Sequence, residues 1–113
     1  MNIIPAIDIK NGKVVKAING ERDQYNPITS NSGFSSDPQI FIKQMIEVYR
    51  PSLFYIADIN SLCSDDDNIN LIRNIADKNK STKFWIDTGG KIDQRLNKKN
   101  IVPILCSEKC LTI

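Results

Sequence analysis

Four apolar, β-branched runs punctuate the chain: Ile3-Ile4-Pro5-Ala6-Ile7-Asp8-Ile9, Leu53-Phe54-Tyr55-Ile56-Ala57, Lys83-Phe84-Trp85-Ile86-Asp87 and Ile101-Val102-Pro103-Ile104-Leu105. Each has the length of a strand. They are nearly continuous in hydrophobicity rather than alternating, which predicts strands buried on both faces, as in a parallel sheet covered by helices. Helical patterns lie between them. Asp37-Pro38 reads as an N-cap with proline at the first helical position; Ile42, Met45, Ile46 and Tyr49 follow at spacings of three and four, and Pro51 stops the run. Ser64-x-x-Asp67 resembles a second cap, followed by the stripe Ile69, Ile72, Ile75 and Ala76. A third, shorter helix is predicted from Lys91 to Lys98. The expected fold class is therefore α/β, with four parallel strands in sequential order and helices on one outer face.

The stretch from Lys10 to Ser36 is far longer than the ~2–6 residues of an ordinary strand-to-helix loop. It contains Lys13-Val14-Val15-Lys16-Ala17, then Asn19-Gly20, then Arg22 to Tyr25, which predicts a small hairpin turning at Asn19-Gly20. A long loop after the carboxyl end of a strand is a candidate lid, the alternative being a disordered insertion.

Composition narrows the chemistry. The chain has 113 residues, one domain's worth over 1–113, and no histidine, which removes imidazole-based triads and His-ligated metals. A net charge of +2 and no basic run longer than Lys98-Lys99 argue against a nucleic-acid partner. No apolar stretch reaches the ~20 residues of a membrane helix and no signal-peptide pattern opens the sequence, so a cytoplasmic chain without a membrane partner is expected. Cys63, Cys106 and Cys110 are expected to be reduced, and neither a metal nor a cofactor is expected. Asp65-Asp66-Asp67 is read as helix-start capping rather than a cation site.

In parallel α/β folds ligands bind at the carboxyl ends of strands. Asp8 is read after the first strand, Asp58 with Asn60 after the second and Asp87 with Thr88 after the third, so their carboxylates are candidates for a substrate pocket and for acid/base work without histidine. Ile7 and Ile9 are expected to limit water access to Asp8. Gly89-Gly90, read as lying between a strand and a helix, is a candidate phosphate cradle, with Ser107 adding a hydroxyl. Lys91 is read as a solvated surface residue.

The opening Ile3 to Lys10, followed by Asn11-Gly12-Lys13-Val14-Val15-Lys16, closely resembles the start of the histidine-biosynthesis (βα)₈-barrel family, which comprises a ribotide isomerase performing an Amadori rearrangement and its sister cyclase. Tyr55-Ile56-Ala57-Asp58-Ile59-Asn60 resembles the family's second strand, Asn68-Ile69-Asn70-Leu71-Ile72 its second helix, Asp87-Thr88-Gly89-Gly90 its third-strand glycine loop, and Pro103-Ile104-Leu105-Cys106-Ser107-Glu108 its fourth strand. Arg22-Asp23-Gln24-Tyr25-Asn26-Pro27-Ile28 is most similar to an isomerase-related branch found in archaea and some methylotrophs. The resemblance implies that Asp8 is a catalytic acid/base and that Gly89, Gly90 and Ser107 hold a substrate phosphate. The family's triple glycine with a following arginine reads Gly89-Gly90-Lys91-Ile92 here, Asn60 stands at the second acidic position of the strand-two motif, and Cys106 stands where a glycine precedes the serine.

A complete barrel of this type takes about 250 residues. The resemblance thus implies a (βα)₄ half-barrel, with an acid/base isomerisation of a phosphorylated ribosyl substrate when the barrel is completed. The partner expected is a second copy closing the barrel as a homodimer, or the missing C-terminal half. The alternative is an inactive half-barrel that binds only phosphate or a partner chain. Half a barrel is expected to expose two unpaired sheet edges and an apolar face, which favours self-association.

Overall fold

A computed structural model describes residues 3–17 and 21–105. Its sheet has six strands in the order β3-β2-β1-β4-β5-β6, namely β1 Ala6–Lys10, β2 Lys13–Lys16, β3 Asn26–Pro27, β4 Leu53–Asp58, β5 Lys83–Asp87 and β6 Ile101–Ile104. The four strands read as apolar runs, β1, β4, β5 and β6, are parallel and sequential, as the pattern predicts. This is the strand arrangement of a (βα)₄ half-barrel, with β2 and β3 added antiparallel.

The first hairpin differs from expectation. β2 folds straight back on β1 through Asn11-Gly12, whose φ angles of 51° and 76° suit the left-handed turn that asparagine and glycine tolerate best. The return strand is Asn26–Pro27, while Arg22–Gln24 forms a single 3₁₀ turn. Asn19-Gly20 lies outside the described residues. The β1 edge is consequently not free along Asp8 to Lys10, which pair with β2, and the outer strands β3 and β6 each carry a proline, Pro27 and Pro103, which has no N–H to offer a further strand.

Helix α1, Pro38–Tyr49, starts where the sequence says: Asp37 accepts from Gln39 N at 3.0 Å and Ile40 N at 3.2 Å. It ends at Arg50, whose left-handed conformation lets its N–H reach Ile46 O at 3.0 Å before Pro51. An unpredicted short helix α2, Ile59–Cys63, follows β4, and Ser64 closes it by binding Asn60 O rather than opening the next helix. Helix α3, Ile69–Lys78, therefore begins at Asn68, with Asp67 accepting from Ile69 N at 3.0 Å. The third predicted helix is reduced to a 3₁₀ turn at Gln94–Leu96. Arg95 is held there by Asp93 and Asp67, and Leu96 is buried, which anchors the segment against the core as a loop.

The main core lies between the sheet and α1 and α3. Ile7, Ile9, Phe54, Ile56, Phe84 and Ile86 come from alternate strand positions, and Ile42, Ile69, Ile72, Ile75 and Ala76 from the helices. Phe54 and Phe84 stack at 5.6 Å between ring centroids. Burying each side chain of this size contributes about 1.5–3 kcal/mol, so this face dominates stability. The other sheet face is covered only in part, by a small cluster of Val15, Tyr25, Ala57, Ile59 and Leu62. Trp85 is 41% and Val102 43% exposed there, so burial on both faces, the expectation from continuous hydrophobicity, does not hold within this chain.

Candidate active site

Strand register sets the site. On the face away from α1 and α3, Asp8 pairs with Ala57, and Ala57 with Asp87, so one row runs Val15, Asp8, Ala57, Asp87, Ile104 across the sheet. The next row holds Ala6, Tyr55, Trp85 and Val102. Two strand spacings separate Asp8 from Asp87, roughly 10 Å between backbones. Tyr55, on the strand between them, reaches Asp87. Its hydroxyl donates to Asp87 Oδ2 at 2.8 Å, and Gly89 N donates to Asp87 Oδ1 at 3.0 Å.

The electrostatics follow from the placement. Burial pushes the half-buried Asp8 carboxyl above its ordinary value of 3.8, and the Arg22 guanidinium opposes part of that rise. Tyr55 is pushed up to about 12 by burial, by its bond to Asp87 and by the negative charges of Asp87 and Asp8. Tyr55 is thus a neutral phenol whose proton is committed, and Asp8 is a carboxyl shifted towards the range where it can both take and give a proton. Ile7 and Ile9 do not shield Asp8 as expected. They point into the helix-side core, and the partial burial of Asp8 arises on the opposite face.

Beside this face, at the carboxyl end of β1, a cleft of about 470 Å³ opens between the loop at Glu21 to Asp23 and helix α2, with Lys10, Asn60 and Cys63 in its walls. Lys10 Nζ donates to Arg22 O at 2.7 Å and so ties the loop to the strand end.

The structure does not bring Asp58 to Asp8. Asp58 points to the other side of β4, has no exposed surface, and accepts from Asn68 N and Asn68 Nδ2, both at 2.8 Å, and from Ser61 N at 3.2 Å. Asn68 Oδ1 accepts from Gly12 N at 2.9 Å, and Asn11 and Asn60 exchange two hydrogen bonds of 2.8 Å. These side chains fasten the β1–β2 turn to the end of β4.

Gly89 and Gly90 form a turn with φ of 75° and 80°, a conformation that disfavours other residues. No α-helix follows them among the described residues, so the expected helix N-terminus at this cradle is absent, and Gly89 N–H is directed at Asp87. Ser107 lies outside the described residues. Lys91, read as solvated, forms an ion pair with Asp67 at 3.6 Å. Arg95 binds Asp67 at 2.9 Å and Asp93 at 2.7 Å; these contacts hold Asp93 down at about 2, and they lower Asp67 despite its burial. Asp67 therefore serves the loop as well as the helix start.

Reading the sequence for carboxylates missed Tyr55, Arg22 and Lys10. Counting by two from Asp8 reaches Lys10, and from Ala57 reaches Tyr55, which places both on the Asp8 face. Only the register shows that Tyr55 reaches Asp87.

A family model described as "Histidine biosynthesis protein" matches residues 2–105. An uncharacterized protein of Methanocaldococcus jannaschii is 36% identical over 80 residues, covering 71% of this chain and 35% of the relative. The 1-(5-phosphoribosyl)-5-((5-phosphoribosylamino)methylideneamino) imidazole-4-carboxamide isomerase of Methanosphaera stadtmanae is 31% identical over 104 residues, covering 92% of this chain and 40% of the relative. The chain thus spans well under half the length of either protein.

Proposed function

The chain belongs to the histidine biosynthesis protein family, and from that premise we propose that it is an isomerase-type half-barrel in which Asp8 moves a proton during aldose–ketose rearrangement of a phosphorylated ribosyl substrate. The observation that carries this reading is the position of Asp8 at the site. It is half-buried on the open sheet face, raised by burial, and one row from a phenol held by a second carboxylate. In the reaction a proton leaves C2 of the open-chain sugar and the C1–C2 double bond forms as the π pair of the C1 imine or carbonyl moves to its heteroatom, which takes up a proton; the C2 hydroxyl then gives up its proton and becomes a carbonyl as the C1–C2 electron pair takes a proton at C1. Composition is unchanged, so no oxidant or reductant enters. The Gly89-Gly90 turn, with Ser107, is assigned to the substrate phosphate on the resemblance described above. The similarity to the Methanosphaera isomerase supports the same reaction class.

In this reading the rest of the barrel comes from a second copy or from the complementary half. The exposed Trp85 and Val102 beside the site favour such a cover. They also favour a second reading, a non-catalytic module that binds phosphate or a partner chain. Ribotide isomerisation by wild type and Asp8→Asn separates the two. A general acid/base contributes about 10²–10⁴-fold in rate, so Asp8→Asn should lose that much with phosphate affinity retained. Equal turnover in both removes Asp8 from the mechanism, whereas phosphate binding without turnover in either favours the non-catalytic module. Light scattering on a sizing column should give a mass above 12.8 kDa if a second copy supplies the cover. A persistent monomer at micromolar concentration refutes that closure.

A further inference from the structure

Among the described residues, Tyr55 combines a committed proton with a place beside Asp8. Its O–H points at Asp87 Oδ2, 2.8 Å away, and Asp87 is itself fixed through Oδ1 by Gly89 N at 3.0 Å. A hydroxyl whose only hydrogen is spent in this way presents oxygen lone pairs, and it can only accept from a ligand. The Asp87 anchor fixes the direction of those lone pairs. Tyr55 is half-buried and Asp87 is buried, so Tyr55 is the more exposed residue of the pair. Ala6 is the strand partner of Tyr55, and Asp8 stands one row on along β1, on the same face.

We propose that Tyr55, oriented by Asp87, is the acceptor that recognises the sugar hydroxyl at the carbon from which Asp8 takes its proton. This rests on the isomerase reading and adds a specificity-determining residue to it. The ligand class is a sugar phosphate with a free hydroxyl at C2, which donates to Tyr55 Oη. A 2-deoxy sugar leaves that acceptor without a partner, whereas a site lacking the acceptor has no reason to distinguish the two.

The test is calorimetric titration of the full chain with ribose 5-phosphate and with 2-deoxyribose 5-phosphate. Wild type should bind the ribose compound about five-fold more tightly, the scale of one neutral hydrogen bond, and Tyr55→Phe should bind both alike. Binding of both sugars with undiminished preference in Tyr55→Phe overturns the role of Tyr55 and leaves the isomerase reading standing. No binding of ribose 5-phosphate by wild type overturns the isomerase reading itself. If Tyr55→Phe fails to fold, nuclear magnetic resonance of labelled tyrosine ring carbons in the wild type decides, with signals assigned through Tyr25→Phe and Tyr49→Phe. The Tyr55 signal should move on saturation with ribose 5-phosphate and stay in place with the deoxy sugar. The same shift with both sugars, or with neither, overturns the proposal.

Discussion

Replacing Asp58 by alanine tests whether this carboxylate belongs to a pocket or to the scaffold. The wild-type side chain is fully buried and receives three N–H donors: Asn68 N and Asn68 Nδ2 at 2.8 Å and Ser61 N at 3.2 Å. Asn68 Nδ2 also lies 2.8 Å from Asn60 Oδ1, so it keeps a partner when Asp58 is truncated. The two backbone N–H groups lose their acceptor in a site closed to water. Each buried donor left unsatisfied costs about 1–3 kcal/mol, so the variant should lose about 2–6 kcal/mol. Domains of this size are stable by only about 5–15 kcal/mol, which makes the loss a large share of the total. Urea unfolding followed by circular dichroism and Trp85 fluorescence should show the midpoint falling by about 1–2 M at an unchanged slope. Asp58→Asn keeps one acceptor but sets a second NH₂ against Asn68, and it should fall between wild type and alanine. An unfolding free energy for Asp58→Ala within about 0.5 kcal/mol of wild type would refute the scaffold argument. If ribose 5-phosphate affinity fell in that same variant, Asp58 would return to the pocket.

Two further outcomes follow from charge placement. Burial raises Asp8 in the folded chain, so its ionisation opposes folding above the ordinary carboxylate value of 3.8; Asp8→Asn should therefore raise the melting temperature at pH 7 and give no gain near pH 3, and equal melting curves at pH 7 count against the burial argument. Asp93 sits at about 2 when folded through its hydrogen bonds to Arg95, so its stabilising contribution is present above 3.8 and fades as pH falls towards 2. Arg95→Ala should accordingly narrow the stability difference between pH 6 and pH 2, which acid titration followed by circular dichroism reads directly; an unchanged difference rules the network out.

Helix α1 was legible because every signal for it is local: Asp37 caps, Pro38 starts, and Pro51 ends it, all within a few bonds of the backbone they constrain. The four parallel strands were legible for a similar reason, since apolar β-branched runs of that length have few alternatives. The failures arose where two local signals competed. Asn11-Gly12 carries no weight as a turn in the sequence reading, yet pairing of Val14 and Val15 with Ile9 and Asp8 closes a turn there. Ser64 looked like a helix start but was taken by the end of α2, leaving Asn68 and Asp67 to begin α3.

The candidate site shows the same division. Sequence alone placed Asp87 at the carboxyl end of its strand, and side-chain alternation put Ile7 and Ile9 opposite Asp8. Asp8, read as ending the first strand, is instead the middle residue of β1, which runs on to Lys10 because β2 pairs with it there; its partner Ala57 is one residue from the end of β4. That Asp8 and Asp87 share one face with Tyr55 between them, while Asp58 turns to the other, depends on register between strands far apart in the chain. Covalent geometry sets the alternation within a strand, so it is written locally. Which strand lies beside which, and at what offset, is decided by burying Phe54, Phe84 and the isoleucines together against α1 and α3, a sum over the whole chain that no single segment encodes.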